Sequence, residues 1–188
     1  MAAKGVSGGT TQNISLTSAS GKVTGTEVKA SGAMSITASS GEVELVDIDT
    51  VDGSITVSAT GAITATDVKS NTDSDANDIS LTGNGIAVTL INAGAAGDVT
   101  LNAGTGAITQ DTATDNDDVT ADVLTADGAT GIDLDTTITS ADLTVKAAGN
   151  IILDEKDAVT LTEVDTNNGL ITVTTGGAIV ATKVVSGG

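Results

Sequence analysis

Three acidic clusters and a scatter of paired threonines hold the side chains in this sequence that could do chemistry. Asp73, Asp75 and Asn77 set oxygen ligands at alternate positions, as at the start of a calcium loop. The rest of that loop departs from the pattern. Its sixth position is Asp78, where the sharp turn wants Gly, and its twelfth is Asn84, where a bidentate Glu belongs. The nonapeptide GGxGxDxUx of calcium-binding β-rolls is absent as well. The cluster is read as a solvated acidic corner, with weak calcium binding as the alternative. Asp115, Asn116, Asp117 and Asp118 are read in the same way. No metal ligand and no cofactor is assigned.

Asp133 and Asp135 are a carboxylate pair of the kind glycoside hydrolysis uses. On an alternating strand both point outward, where a solvated Asp belongs. The chain has no His, Cys or Arg, and therefore no imidazole base, no thiol nucleophile and no guanidinium clamp. No catalytic residue is nominated, and a non-enzyme is expected. Thr24 with Thr26, Thr64 with Thr66, and Thr160 with Thr162 stand at alternate positions. Rows of outward Thr on a flat solenoid face can order water, as in ice-binding solenoids. The intervening phrase puts Glu44 and Val46 in those slots, so no continuous row is expected there.

The elements that position these groups come from a repeated phrase. GKVTGTEVKASGAMSIT is followed by GEVELVDIDTVDGSITV and by GAITATDV, between Gly21 and Val68. Val23, Val43 and Ile63 recur twenty residues apart, and Val28, Ile48 and Val68 follow each by five. Met34 with Ile36, then Ile55 with Val57, begin the other half of each phrase. A fixed period near twenty marks a chain wound into stacked turns. Within each phrase apolar and polar residues alternate, as in Ile14-Ser15-Leu16 and Ile171-Thr172-Val173, which is strand periodicity. The types are Val, Ile and Thr, and the punctuation is Gly, Asn, Asp and Ser, with Gly21, Gly41, Gly61 and Asn71 at the bends.

The expected fold is all-β: a parallel β-helix of about 20 residues per coil and roughly eight to nine coils, spanning residues 1–188 as one domain. Equivalent strands of successive turns stack into parallel sheets, and the inward residues form an aliphatic ladder. One turn alone cannot bury enough to offset its ordering entropy, so contacts between turns must hold the coil. The acidic insertions NTDSDAND (71–78) and DTATDNDD (111–118) fall at corners, which accept loops without disturbing the ladder. Register is least regular from Val119 to Val145. Ile132, Leu134, Ile138, Leu143 and Val145 are the inward candidates there, and regularity returns with Ile151, Leu153, Val159, Leu161 and Val164.

Net charge is −18, from 25 carboxylates against seven lysines, which repels phosphate backbones and anionic membranes. No nucleic-acid partner and no membrane insertion is expected. Apolar runs never reach the length of a membrane helix, and the start lacks a signal peptide's apolar core. Lys4 to Gly9, KGVSGG, matches the terminal KVVSGG, which aligns Gly5 with Val184 in the column of Val28 and Val68. With no atypical cap at either end, the chain reads as a segment of a longer shaft, or as one whose ends can stack.

GDVTLNAGTGAIT (97–109) and DLTVKAAGNIIL (142–153) resemble the repeats of filamentous-haemagglutinin-type exoproteins. The resemblance spans nearly the whole chain, and such degenerate repeats mark an architecture more than a homologue. It implies a right-handed parallel β-helix, export by a two-partner or autotransporter route, and a bacterial cell-surface or secreted location. It further implies a role in adhesion, aggregation or biofilm, with host-cell or matrix components bound by parts outside this segment. The family's Asn-Pro secretion motif is missing, since the chain has no proline. Three functions follow as expectations: a structural spacer carrying an adhesive tip, a surface module binding glycan or protein, and a filament built through uncapped ends.

Overall fold

The computed structural model describes residues 1–7, 12–110 and 117–187. The residues before the first insertion form β1 (Ala2–Ser7), β2 (Ile14–Ser18), β3 (Val23–Ala30), β4 (Met34–Ala38), β5 (Val43–Leu45), β6 (Ile48–Thr50), β7 (Ile55–Ala59), β8 (Ile63–Ala65) and β9 (Val68–Ser70). Next come β10 (Ile79–Thr82), β11 (Ile86–Val88), β12 (Ile91–Asn92), β13 (Val99–Asn102) and β14 (Ile108–Gln110). After the second insertion follow β15 (Val119–Gly128), β16 (Ile132–Ala148), β17 (Ile151–Glu155), β18 (Val159–Asn168), β19 (Ile171–Thr175), β20 (Ile179–Ala181) and β21 (Val184–Ser186). Strands of successive turns pair in parallel, and the chain is an all-β parallel β-solenoid of about nine turns with ~20 residues each.

Three faces wrap the axis. Face I holds the column Val23–Val43–Ile63–Ile86–Ile108–Ile132–Ile151–Ile171. Face II begins Val28–Ile48–Val68–Ile91–Val119. Face III carries Leu16–Ile36–Val57–Leu81–Leu101–Ala126–Leu143–Val164–Val184. The period-two pattern appears directly in the burial: Ile55, Val57 and Ala59 of β7 are covered while Thr56 and Ser58 are exposed. Ile132, Leu134, Ile138, Leu143 and Val145, the inward candidates of the irregular stretch, are all buried.

That stretch also holds a change of phase. Val159 to Val173, VTLTEVDTNNGLITV, reads like Val23 to Thr37, VTGTEVKASGAMSIT. If phase were kept, Val164 would join Val28 on face II and Ile171 would join Met34 on face III. Instead Val164 stands on Leu143 in face III, and Ile171 stands on Ile151 in face I. The shift enters after Gln110. Val119, which opens the next phrase, docks on Ile91 in face II rather than on Ile108 in face I. A short turn then follows, with Val119 beside Thr136 and Leu124 beside Ala141. Most inward slots on all three faces hold a slim aliphatic, so a phrase moved by one face still packs.

The alignment of KGVSGG with KVVSGG fails for this reason. Val184 belongs to the Leu16 column of face III, not to the column of Val28. At the other end, register shifts in β1 set Val6, and not Gly5, beside Val28. Gly8, Gly9 and Gly188 of those phrases, and Asp111 to Asn116, lie outside the described residues.

An interior rung is covered by turns on both sides, whereas a terminal rung is covered on one. Leu81→Ala should therefore cost about 2–5 kcal/mol in chemical denaturation. Ile171→Ala, in the last turn and only half-buried, should cost less than half as much; equal losses would contradict this stacking.

Candidate functional site

The first acidic corner ties two turns together. Asn77 is 2% exposed, and its amide donates to Asp52 Oδ1 and to the Thr72 carbonyl, both at 3.0 Å. Asp73 Oδ1 accepts the backbone N–H of Ala96, one turn on, at 2.7 Å. Two of the three residues read as alternate oxygen ligands thus make hydrogen bonds that hold the corner, while Asp75 is exposed. Among the described residues no group of three or more His, Cys, Asp or Glu is placed to hold a metal.

Next to it, Asp78 Oδ1 accepts the N–H of Asp98 at 3.1 Å, and Asp98 Oδ1 accepts the N–H of Val123 at 3.1 Å. These carboxylates replace backbone acceptors where the chain enters face III, as short polar side chains do at turns. Burial first, and then the nearby charges of Asp78, Asp122 and Asp75, raise the Asp98 carboxyl above its usual range, against the pull of the Val123 N–H.

Of the second cluster, Asp117 and Asp118 are described. Asp117 meets the Lys156 ammonium at 2.8 Å, thirty-nine residues along the chain. Burial opposes the Asp117 charge, but the hydrogen bonds and the Lys156 charge outweigh it and hold the carboxyl below the usual range. Asp118 is 2% exposed, and its carbonyl accepts the Ile91 N–H of the preceding turn at 2.7 Å.

Asp133 and Asp135 alternate with buried Ile132 and Leu134 on β16, and so face outward as the alternation requires. Asp133 accepts a long hydrogen bond from the Gln110 amide at 3.4 Å and lines an open hollow of about 250 Å³ with Thr109 and Ile152. Asp135 is not among the residues lining that hollow, and it stands instead beside Asp154 of the next turn. Burial, and after it the charges of Asp154, Asp133 and Asp117, raise its pKa, with the Gln110 hydrogen bond opposing.

Reading the sequence missed two features. The first is Glu155. Face II, aliphatic through Val119, continues with Thr136, Glu155 and Thr175 because of the phase change. Glu155 is 4% exposed. Its Oε2 accepts from Thr136 Oγ1 at 2.7 Å and from the Ile138 N–H at 3.1 Å, while Oε1 accepts from the Asp157 N–H at 3.0 Å. Lys156 and Asp157 form a bend after β17, and the carboxylate supplies the acceptor for the Ile138 and Asp157 N–H groups. Burial raises its pKa above the usual Glu range, against these three hydrogen bonds, with Asp157 adding to the rise. A Thr, Glu, Thr series at nearly twenty-residue spacing was the available signal.

The second feature is a hydroxyl ladder. The outward row of face III reads Ser15–Ser35–Thr56–Ser80–Thr100–Thr125, and the row beside it begins Thr17–Thr37–Ser58–Thr82. Of the Thr pairs noted from the sequence, Thr160 and Thr162 flank Leu161 on face III but stand outside these two rows. Thr24 is followed by Glu44 and then Thr64 on face I, so that row alternates as expected. Chemically the hydroxyl rows offer a neutral, uncharged surface of donors and acceptors.

Together these observations define a parallel β-solenoid whose polar groups mostly close its corners. No protein-family model, no curated protein and no solved structure matches the chain.

Glu155→Ala should destabilise the fold by about 2–3 kcal/mol, because the Ile138 and Asp157 N–H groups lose their acceptor. A change under 0.5 kcal/mol in urea melts would show the carboxylate to be dispensable. Acid should stabilise the chain. Asp98, Asp135, Asp142 and Glu155 have raised folded values, so their contribution grows as pH falls toward the ordinary carboxylate value of about 4. Glu44 and Asp117, held low by their lysines, lose stabilisation only below that. The Tm should climb from pH 8 to about pH 4.5 and turn over below it; a steady fall from pH 8 would contradict the assignment.

Proposed function

We propose that this chain is a non-enzymatic structural spacer, a length of shaft in a large bacterial cell-surface or secreted adhesin. The observation that carries the reading is the inter-turn ladder. Face III runs unbroken from Leu16 to Val184, making the chain a continuous column about 40 Å long at the usual strand spacing. Such a column sets a distance and resists bending, because each turn is bonded along three walls to the next. The phrases GDVTLNAGTGAIT and DLTVKAAGNIIL support the exoprotein resemblance, and with it an extracellular location and host-cell or matrix partners reached through parts outside this segment. The acidic wall, at net −18, supports a surface that stays dispersed and does not engage nucleic acid or insert in membranes.

A second reading, a glycan- or protein-binding module, is favoured by one observation, the two hydroxyl rows of face III. Uncharged hydroxyls at strand spacing match the donors and acceptors of a sugar polymer.

An antibody against the chain should label intact cells of the organism that makes it, and labelling confined to permeabilised cells would overturn the surface placement. On a glycan array the spacer reading expects no saturable binding by the chain itself. Saturable binding abolished by Thr56→Val with Thr100→Val would transfer the role to the hydroxyl face.

A further inference from the structure

Many hydroxyls of this solenoid are committed to its own backbone. Thr50 Oγ1 donates to the Gly53 carbonyl at 2.6 Å, Thr72 Oγ1 to that of Val51 at 2.6 Å and Thr166 Oγ1 to that of Gly149 at 2.7 Å. The two outward rows of face III differ. Among the described residues, no hydroxyl of the row from Ser15 to Thr125, or of the row from Thr17 to Thr82 beside it, makes a hydrogen bond. All stand exposed or half-buried, so they are open to a partner outside the chain.

The fold sets their spacing. Five successive pairings carry the first row from β2 to β15 without a register shift. Neighbouring hydroxyls are therefore about 4.8 Å apart along the axis and, two residues on, about 6.6 Å apart along each strand. Ile36, Val57, Leu81 and Leu101 are buried beneath them, so the array stands on a packed support.

Charge is kept away from it. Neither row carries a charge from β2 to β10, in a chain of 25 carboxylates. Asp78 and Asp98, which precede β10 and β13, accept backbone N–H groups at the corners. Over the same turns face II carries Lys29, Asp49 and Lys69, and face I carries Glu44.

An occupant of this array must be uncharged, must both donate and accept hydrogen bonds, and must repeat in two directions. A single sugar chain repeats in one direction. It is held best in a cleft with aromatic rings, and this chain has no aromatic residue. The surface of ice meets all three conditions. Each of its waters donates and accepts as a hydroxyl does, and its oxygens repeat at spacings close to both of those on face III. On face I the interruption of Thr24 and Thr64 by Glu44 excludes such a match.

We propose that face III binds ice, its two hydroxyl rows taking the place of waters at the crystal surface. The inference goes beyond the spacer reading and does not depend on it, so its failure would leave that reading standing.

The test uses the purified 188-residue chain, measuring its partition into slowly growing ice and the gap it opens between freezing and melting points. The unmodified chain should enter the ice and open a gap that widens with concentration. Thr56→Lys sets a long charged side chain in the middle of the array and should abolish both effects. Thr64→Lys makes the same change on face I and should leave both unchanged. Each variant is checked as folded by its β circular dichroism. Should Thr56→Lys fail to fold, Ser58→Tyr, which adds bulk without charge, takes its place with the same expected loss. An unmodified chain that is excluded from ice and opens no gap at millimolar concentration overturns the proposal. So does activity that survives on a disrupted face III, or that is lost in Thr64→Lys. Binding to crystalline cellulose or chitin without partition into ice would assign the rows to a polysaccharide surface instead and equally overturn it.

Discussion

Parallel hydrogen bonding between successive turns is the interaction on which everything else in this molecule depends. A strand such as β5 has three residues and no partner within its own turn; its backbone groups are satisfied only by β3 before it and β8 after it. Buried peptide groups cannot be left unpaired. Each turn must therefore lie flat on its neighbours at one strand spacing, and corners as well as strands must stack. Gly41 shows how close that stacking is. It adopts φ +151, and a Cβ there would lie 2.7 Å from the carbonyl carbon of Gly21; one on Gly61 would lie 2.8 Å from that of Gly41. The glycine column at this corner is the backbone counterpart of the aliphatic columns inside.

The same constraint explains what could be read in advance. Val23, Val43 and Ile63 line up because twenty-residue spacing and slim β-branched side chains leave the turns no other register. Which face a phrase occupies was not legible, since all three faces accept Val, Ile, Leu and Ala alike. The phrase from Val159 to Val173 could thus move one face on from its counterpart at Val23 to Thr37 with no change in composition. Glu155 was illegible for a related reason. An acid between Asp154 and Lys156 reads as a surface residue, and only the phase change turns its slot inward. The acidic corner at Asp73 to Asp78 was legible as a corner, while the bonds made there by Asp73 and Asn77 depended on where Ala96 and Asp52 came to lie.

The scarce cations are placed where they reinforce stacking. Lys22 meets Glu44 at 2.9 Å, Lys29 meets Asp49 at 2.6 Å and Lys146 meets Asp127 at 2.6 Å, each pair joining neighbouring turns; Lys183 likewise meets Glu163. Their lysines are all exposed to solvent, though Asp49 and Asp127 are partly covered, so each pair contributes little on its own. Each sets a cation against a carboxylate of the adjoining turn. The remaining acids leave the wall strongly negative, so that two such walls repel each other.

A solenoid of this sort separates the residues that make it fold from those free to acquire a task. Inward positions are bound to their columns and corner glycines to their stacks, but an outward row can change residue by residue without touching either. The three walls have already diverged. Face II alternates Lys29, Asp49 and Lys69, face I mixes Thr24, Glu44 and Thr64, and on face III the row from Ser15 to Thr125 stays neutral and hydroxylated for six turns. A spacer has no need of such a difference, since any soluble wall would serve. The uniform hydroxyls of face III are therefore the surface on which a contact function would be sought first, and the core beneath them would not have to change to accommodate it.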